Sequence, residues 1–466
     1  MNKYLYLLPV LILLVLWSSC RKDFDFDPTT GNLTFSLDTV FLDTVFTNIG
    51  SSTYTLKVYN RSNDDLRIPS IRLGDGDNSN YRLNVDGQAG KFFQDIPILA
   101  KDSLFIFIET TFDVAPTNET EFLYTDALQF DPNGTLQEVQ LVTLVRDAVF
   151  LFPGELADGT TETLLLGLDE EGNEIRIEGF VLAADQLNFT NEKPYVIYGY
   201  AAVSEENTLT MDAGARVHFH QDSGILMGQG SSLKINGSLS TDPELLENEV
   251  IFEGDRLEPS FSDVPGQWGA IWLSAGSVAH EINHLTIKNA TVGLLVEGNG
   301  DVAAPTLTLK NSQIYNSATV NLWGRSAAIQ GENVVLGSAG DVSLYCNAGG
   351  SYEFVHTTIA NYWSNSFRNG PALQIDNFST VNGQNLGEDL VRAQFTNSII
   401  DGNTSLELSL LDNGTNAFNF NFSHCLLKFR DNSGQFRDDP LFNFDDQQFY
   451  NTVLLNGNTE FMDTRD

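Results

Sequence analysis

Apolar and polar residues alternate with a period of two along most of this chain, the pattern of half-buried strands. In the first third the alternating runs are short. They are Tyr54, Leu56 and Val58; Leu66 and Ile68; Ile71 and Leu73; Tyr81, Leu83 and Val85; Leu104, Ile106 and Ile108; and Val139, Leu141 and Val145. Turn residues separate them, as in the polar run from Asn60 to Asp65. This spacing predicts a small β-sandwich over residues 31–150.

The second half repeats a plan of short apolar strand, Asn-containing corner and second apolar strand. Leu285-Thr-Ile287-Lys-Asn289 leads to Gly293-Leu-Leu-Val296, and Ser312-Gln-Ile314-Tyr-Asn316 leads to Val320-Asn-Leu322-Trp323. Thr358-Ile359-Ala-Asn361 leads, after an insertion, to Ala372-Leu-Gln-Ile375, and Ser398-Ile-Ile400-Asp-Gly-Asn403 leads to Ser405-Leu-Glu-Leu408. Repeats of this length mark a solenoid, because no single unit can bury its own apolar side. Ile287, Ile314, Ile359 and Ile400 are its predicted core. Asn suits the corners because it tolerates left-handed backbone angles and its amide can bond to like residues above and below. The solenoid is expected over 194–466, with Pro194–Gly199, Thr208–Gly214 and Ser232–Gly237 in its first coils and 151–193 as a transition segment. No amphipathic helical run competes, so the chain is expected to be all-β.

Charge narrows the partners. Lys and Arg total 25 against 62 Asp and Glu, a net charge of −37. So acidic a chain repels phosphate backbones, which excludes nucleic acid as a partner. Residues 1–19 read as a secretory leader: Lys3, the apolar run Leu5 to Leu16, then Trp17-Ser18-Ser19 before Cys20. Residues 20–30 then form a tether rich in Asp, Pro and Gly. Beyond Cys20 only Cys346 and Cys425 remain, several repeats apart, and a disulfide across that many rungs would be strained. Two buried thiols are expected.

Candidate chemistry is sparse. His280-Glu281-Ile-Asn-His284 spells H-E-x-x-H, but zinc proteases need both histidines on one helix face, and this string precedes a repeat strand. No zinc site is expected there. His218 and His220 flank Phe219 and are read as exposed or edge histidines. Asp75-Gly-Asp77-Asn-Ser79 and Asp86 imitate a Ca²⁺ loop, without Gly at the sixth position or Glu at the twelfth, and a polar turn is preferred. No cofactor is called for, and Ca²⁺ is the one candidate ion. Lys288 and Lys310 are read as solvated corner lysines. In Gln267-Trp268-Gly-Ala-Ile271-Trp272, strict alternation places Ile271 inward and both Trp residues outward. There they are a candidate sugar-stacking pair unless the long insertion at 254–266 covers them. Trp323, Tyr362 and Trp363 are further stacking candidates.

Resemblances add to this reading. Trp17-Ser18-Ser19-Cys20 resembles a bacterial lipoprotein signal, with Trp17 where Leu or Val is usual, which implies lipidation at Cys20. Arg21-Lys22-Asp23-Phe-Asp25-Phe-Asp27 looks like the export signal of Bacteroidetes surface lipoproteins. Asp43–Gly50, Val58-Tyr-Asn60 and Asp102–Ile106 resemble the Ig-like ASH/major-sperm-protein class. Val250–Asp255, Gln267–Trp272, Thr358–Trp363 and Asp439-Pro-Leu-Phe442 resemble Bacteroidetes lipoproteins with a right-handed parallel β-helix of the pectate-lyase-like superfamily. These resemblances imply an outer-membrane, surface-facing lipoprotein with a non-catalytic role in binding, adhesion or scaffolding. Its candidate partners are polysaccharide or another envelope protein. The competing reading is a β-helix polysaccharide lyase or glycoside hydrolase. The paired-Asp and Gly-His-Gly signatures of pectin hydrolases are absent from the sequence.

Overall fold

The computed structural model describes residues 26–47, 49–112, 121–131, 134–169, 171–298, 302–381 and 384–463. The leader, Cys20 and the start of the tether lie outside the described residues. The chain divides into two compact units at Arg146/Asp147. Among the described residues no helix is long and apolar enough to cross a membrane.

The first unit is an Ig-like β-sandwich. One sheet runs in the order Asp27–Pro28, Leu66–Leu73, Glu121–Phe130, Gln137–Arg146, Thr39–Phe41, with Phe92–Ile98 paired to Leu66–Leu73 and Val45–Phe46 to Gln137–Arg146. The other runs Leu33–Phe35, Tyr54–Asn60, Ser103–Thr110, Tyr81–Val85, Gln88–Gly90. Period-two alternation explains its core, because Leu56, Val58, Ile68, Leu73, Ile106, Ile108 and Leu141 all point between the sheets and are fully buried. Asn60 is buried at the end of its strand. Its amide donates to Asp64 O and Leu99 O, and its carbonyl accepts from Ser62 N–H, so it fastens the turn that follows.

The candidate Ca²⁺ loop belongs to this unit. Gly76–Asn78 is a single 3₁₀ turn. The Lys91 ammonium donates to Asp77 O and Ser79 O, which puts a fixed cation of the protein's own on the loop carbonyls. Tyr124 O–H donates to Asp75 Oδ2. A polar turn accounts for these side chains.

The second unit is a parallel β-helix. Two of its strand columns share a nineteen-stranded sheet, since Leu307–Ser317 and Ala328–Ala339 run through the corner between columns; a ten-stranded sheet forms the third side. Val149–Leu151 already pairs with Tyr195–Ile197, so strands of the solenoid begin at the end of the range read as sandwich, before the segment read as a transition. Thr163–Leu168 and Glu174–Val181 form an antiparallel hairpin at that end of the ten-stranded sheet.

Each coil buries one residue per rung in register with its neighbours. Val217, Phe252, Ile287, Ile314, Leu336, Ile359, Ile400 and Leu427 stack as one inward row, all fully buried. A second inward row carries rings. Phe354, Phe395, Phe422 and Tyr450 stack at centroid spacings of 5.5, 5.2 and 5.8 Å, with successive planes within 14°. Phe429, Phe436, Phe442, Phe444 and Phe449 pack around the last rungs, an apolar cap of the kind a solenoid end requires. Cys346 and Cys425 are both free and buried, as expected.

The Asn corners divide into two kinds. Asn289 and Asn316 have positive φ, 64° and 56°, and Asn316 Nδ2 donates to Asn289 Oδ1 at 2.7 Å. Asn283, Asn311 and Asn333 form a parallel ladder with links of 2.8 and 2.9 Å. Asn361 and Asn403 instead sit where the chain leaves for, or braces, the 362–371 insertion. Asn361 Oδ1 accepts from Ala339 N–H, and Asn403 Nδ2 donates to Trp363 O. The same residue type therefore makes a coil-to-coil ladder in one place and a loop anchor in another.

Candidate functional site

Outward residues on consecutive rungs form two rows across the Leu285–Lys288, Leu307–Ser317, Ala328–Ala339, Thr358–Asn361 and Ile399–Gly402 strands. One row is Lys288, Tyr315, Gly337, Ala360 and Asp401; the other is Thr286, Gln313, Val335, Thr358 and Ile399. Gly337 and Ala360 carry almost no side chain, so the first row dips between Tyr315 and Asp401. The dip is the floor of a cleft of about 530 Å³, within the range of about 300–1,000 Å³ typical of ligand sites. Its floor crosses three rungs, roughly 10 Å at the spacing of stacked strands.

Three separate segments raise its walls. On one side stands the 254–266 insertion, which lines the cleft through Asp263. The corner asparagines hold it: Asn289 Nδ2 donates to Ser262 O at 2.7 Å and Asn316 Nδ2 to Asp263 O at 2.9 Å. Opposite are Tyr362, Trp363, Ser364 and Asn365 of the 362–371 insertion, and the third wall is Phe461 and Asp463. Tyr362 O–H and Thr459 Oγ1 both donate to Asp401 Oδ2, at 2.9 and 2.7 Å, tying the second and third walls to one carboxylate. Burial works against the Asp401 carboxylate, yet these bonds and the Lys428 ammonium hold its pKa below the usual range. Burial, followed by Asp401, pushes the Tyr362 hydroxyl up to about 12, so it remains a donor through neutral pH.

The second wall has a buried ionic anchor. Arg368 and Glu407 have side chains 2% and 0% exposed and meet in a two-point contact of 3.0 and 2.7 Å. Arg368 also donates to Asn403 Oδ1 and Gly370 O, while Glu407 accepts from Ala372 and Thr404 N–H. Next to the cleft lies a charged file. Glu253 Oε2 pairs with Lys288 Nζ at 2.6 Å, and His218 Nδ1 is 3.6 Å from Glu253 Oε1. Burial raises the Glu253 pKa, but His218 and Lys288 outweigh it and hold the carboxyl low; Glu253 in turn keeps the half-buried Lys288 charged against burial. Two sequence readings are corrected here. Lys288 is a paired, largely covered lysine, and His218 is buried beside Glu253, whereas Lys310 is exposed and paired to Glu332.

The aromatic candidates scatter. Trp268 points inward, 1% exposed and stacked on Phe219 at 4.4 Å, with Nε1–H donating to Lys288 O. Strict alternation fails because the register shifts between Ala270 and Ile271, so Trp268 and Ile271 both face the core. Trp272 does face outward, in a row with Leu226, Leu295, Trp323 and Tyr345 on the ten-stranded sheet. Trp323 and Tyr345 lie 5.6 Å apart with planes within 16°, so each covers part of its neighbour's face, and the Arg325 guanidinium lies 5.9 Å from the Trp323 ring centroid. A sugar needs the face, so this row is a poor platform. Trp363 does line the cleft but is 5% exposed, with Nε1–H donating to Ser366 Oγ, and serves as wall more than contact surface. Of the five stacking candidates, Tyr362 alone is open to the cleft.

The H-E-x-x-H string is strand, not helix: His280–Asn283 pairs on both sides within the solenoid. His280 Nδ1 accepts from Leu233 N–H at 3.0 Å, which places the ring proton on Nε2, where Ser277 Oγ accepts it at 2.9 Å. Burial lowers its pKa from 6.5 to about 4. Unfolding frees a ring that takes up a proton below about pH 6.5, so this contribution is complete above that pH and disappears as pH falls toward about 4. The expected loss over that window is about 3 kcal/mol. Urea unfolding of native and His280→Gln proteins at several pH values checks it: the native-minus-variant difference shrinks from pH 6.5 to 4. A constant difference contradicts the assignment.

Tyr315, Gln313, Gly337 and Ala360 were not singled out from sequence, and Asn316 was read only as a corner residue. Aligning the repeats by register would have exposed the small pair at Gly337 and Ala360 after Tyr315. Among the described residues no three His, Cys, Asp or Glu side chains converge on a metal position.

No protein-family model matches the chain, and no curated protein matches it. Among solved structures it is similar to the ASH / PapD-like domain of human CEP192 (PapD-like domain 7), with 10% identity, covering 28% of this chain and 94% of that one, at a TM-score of 0.17. At that score the likeness adds nothing to the fold assigned from strand pairing.

Proposed function

We propose that this chain is a non-catalytic surface lipoprotein of Bacteroidetes type, anchored at Cys20 in the outer membrane, whose solenoid binds polysaccharide in the cleft. The observation that carries the reading is the lining. Tyr315, Tyr362 and Phe461 supply ring surface, and Gln313, Thr358, Ser364 and Asn365 supply neutral donors and acceptors. Rings for C–H faces and amides for hydroxyls are the complement of a sugar. The floor follows stacked rungs, so an extended polymer fits better than a compact solute. A binding role is favoured over cleavage because the carboxylates in and beside the floor row are engaged, Glu253 with Lys288, and Asp401 with Tyr362, Thr459 and Lys428, which leaves Asp263 and Asp463 in the walls as the acids that face the cleft.

Chromatography on a panel of immobilised polysaccharides tests the reading. Retention on at least one member, with no release of reducing ends and no absorbance rise from unsaturated uronates, is expected. Failure to bind any member argues for the scaffold role instead, and product release argues for the enzyme. Palmitate labelling in a bacterial host, lost in Cys20→Ala, tests the anchor.

A further inference from the structure

The cleft has a charge character that its polar and aromatic lining does not by itself require. Two carboxylates, Asp263 and Asp463, stand in its walls. Among the described residues that line it there is no Lys, Arg or His. Two ammonium groups beside the ends of the floor row are held by carboxylates, Lys288 by Glu253 at 2.6 Å and Lys428 by Asp401 at 3.3 Å. Asp263 is exposed and lies close enough to the Lys288–Tyr315 end to act electrostatically on both groups. The whole chain adds a background of −37.

Such a site disfavours a polyanion twice. Among the described lining residues no cation meets its charge, and bringing it beside Asp263 sets like charges together. An ammonium meets the opposite situation. The exposed Asp263 carboxylate attracts it, and the rings of Tyr315, Tyr362 and Phe461 line the space where a cation is stabilised on a ring face. Tyr362 and Phe461, both in the lining, meet edge to face, 6.1 Å between centroids and 89° between planes. We propose that the cleft selects amine-bearing glycans, such as polymers of unacetylated amino sugars, over neutral glycans and rejects uronates. This inference rests on the reading of the cleft as a glycan site.

The test uses the full chain and three oligosaccharides of equal length: glucosamine, N-acetylglucosamine and galacturonate. The first two differ only in the charge and acetylation of one nitrogen. At low salt and pH 6, glucosamine oligomers are expected to bind at least 10-fold tighter than the acetylated ones, with uronates showing no binding. Asp263→Asn, at an exposed loop position, is expected to reduce that preference about 5-fold. Because an acidic protein attracts polycations without any site, Gly337→Phe supplies the control: filling the floor should abolish amine binding. Amine binding that survives Gly337→Phe overturns the inference, as does equal or tighter binding of the acetylated or uronate oligomers. The latter result leaves the cleft a glycan site, whereas no binding by any oligomer removes both claims.

Discussion

Glu407→Ala is expected to destabilise the solenoid by about 3–5 kcal/mol, a loss readable in the urea midpoint. The magnitude comes from what remains. Arg368 is 2% exposed at its side chain, and without Glu407 its charge stays buried with only Asn403 Oδ1 and Gly370 O as acceptors. Ala372 and Thr404 also lose the carboxylate to which their N–H groups donate. The pair itself is not a large net stabiliser, because desolvation offsets most of its attraction. Arg368→Met combined with Glu407→Leu should therefore recover a good part of the loss. A single variant within about 1 kcal/mol of native stability would mean the insertion can rearrange and solvate Arg368. The same variant should weaken cleft binding, since the pair anchors the loop that carries Tyr362 and Trp363.

Trp268→Ala carries the second large effect, about 3–5 kcal/mol, and Trp272→Ala should cost far less. Both residues belong to one six-residue strand, and the contrast follows from the register shift between Ala270 and Ile271. Trp268 fills the space against Phe219 and donates to Lys288 O. Removing it opens a cavity and leaves a buried carbonyl short of a donor. Trp272 is only partly covered, and its bond to Glu297 Oε2 lies on the outer side of the sheet. Thermal unfolding of the two variants separates these roles. Equal small losses would return Trp268 to the outer face.

These two cases also mark how far the sequence could be read. Period-two alternation located the inward row from Ile287 through Ile400, and Asn289 and Asn316 at left-handed corners followed from the chemistry of that side chain. Alternation failed at Trp268 because one register shift reverses the facing of everything before it, and nothing in Trp268-Gly-Ala-Ile271 announces where the shift falls. The cleft was hidden for a different reason. Its lining comes from 263, 313–316, 335–338, 358–365 and 461–463, which only stacked rungs bring together. Gly337 and Ala360 are inconspicuous in sequence, and their meaning appears when they fall in line behind Tyr315. Arg368 and Glu407 were lost among 87 charged residues, since no local pattern distinguishes a buried pair from solvated ones.

Gly337 also provides the most direct test of the cleft. A Cβ placed there meets nothing closer than the Tyr315 Cβ at 3.5 Å, so the floor can accept a side chain without strain. Calorimetric titration of native and Gly337→Phe proteins with a glycan retained by the native chain compares an open with a filled cleft. The account predicts at least a 20-fold loss of affinity in Gly337→Phe at an unchanged unfolding midpoint. Equal affinity in the two proteins would place glycan binding somewhere other than the cleft and contradict its central claim.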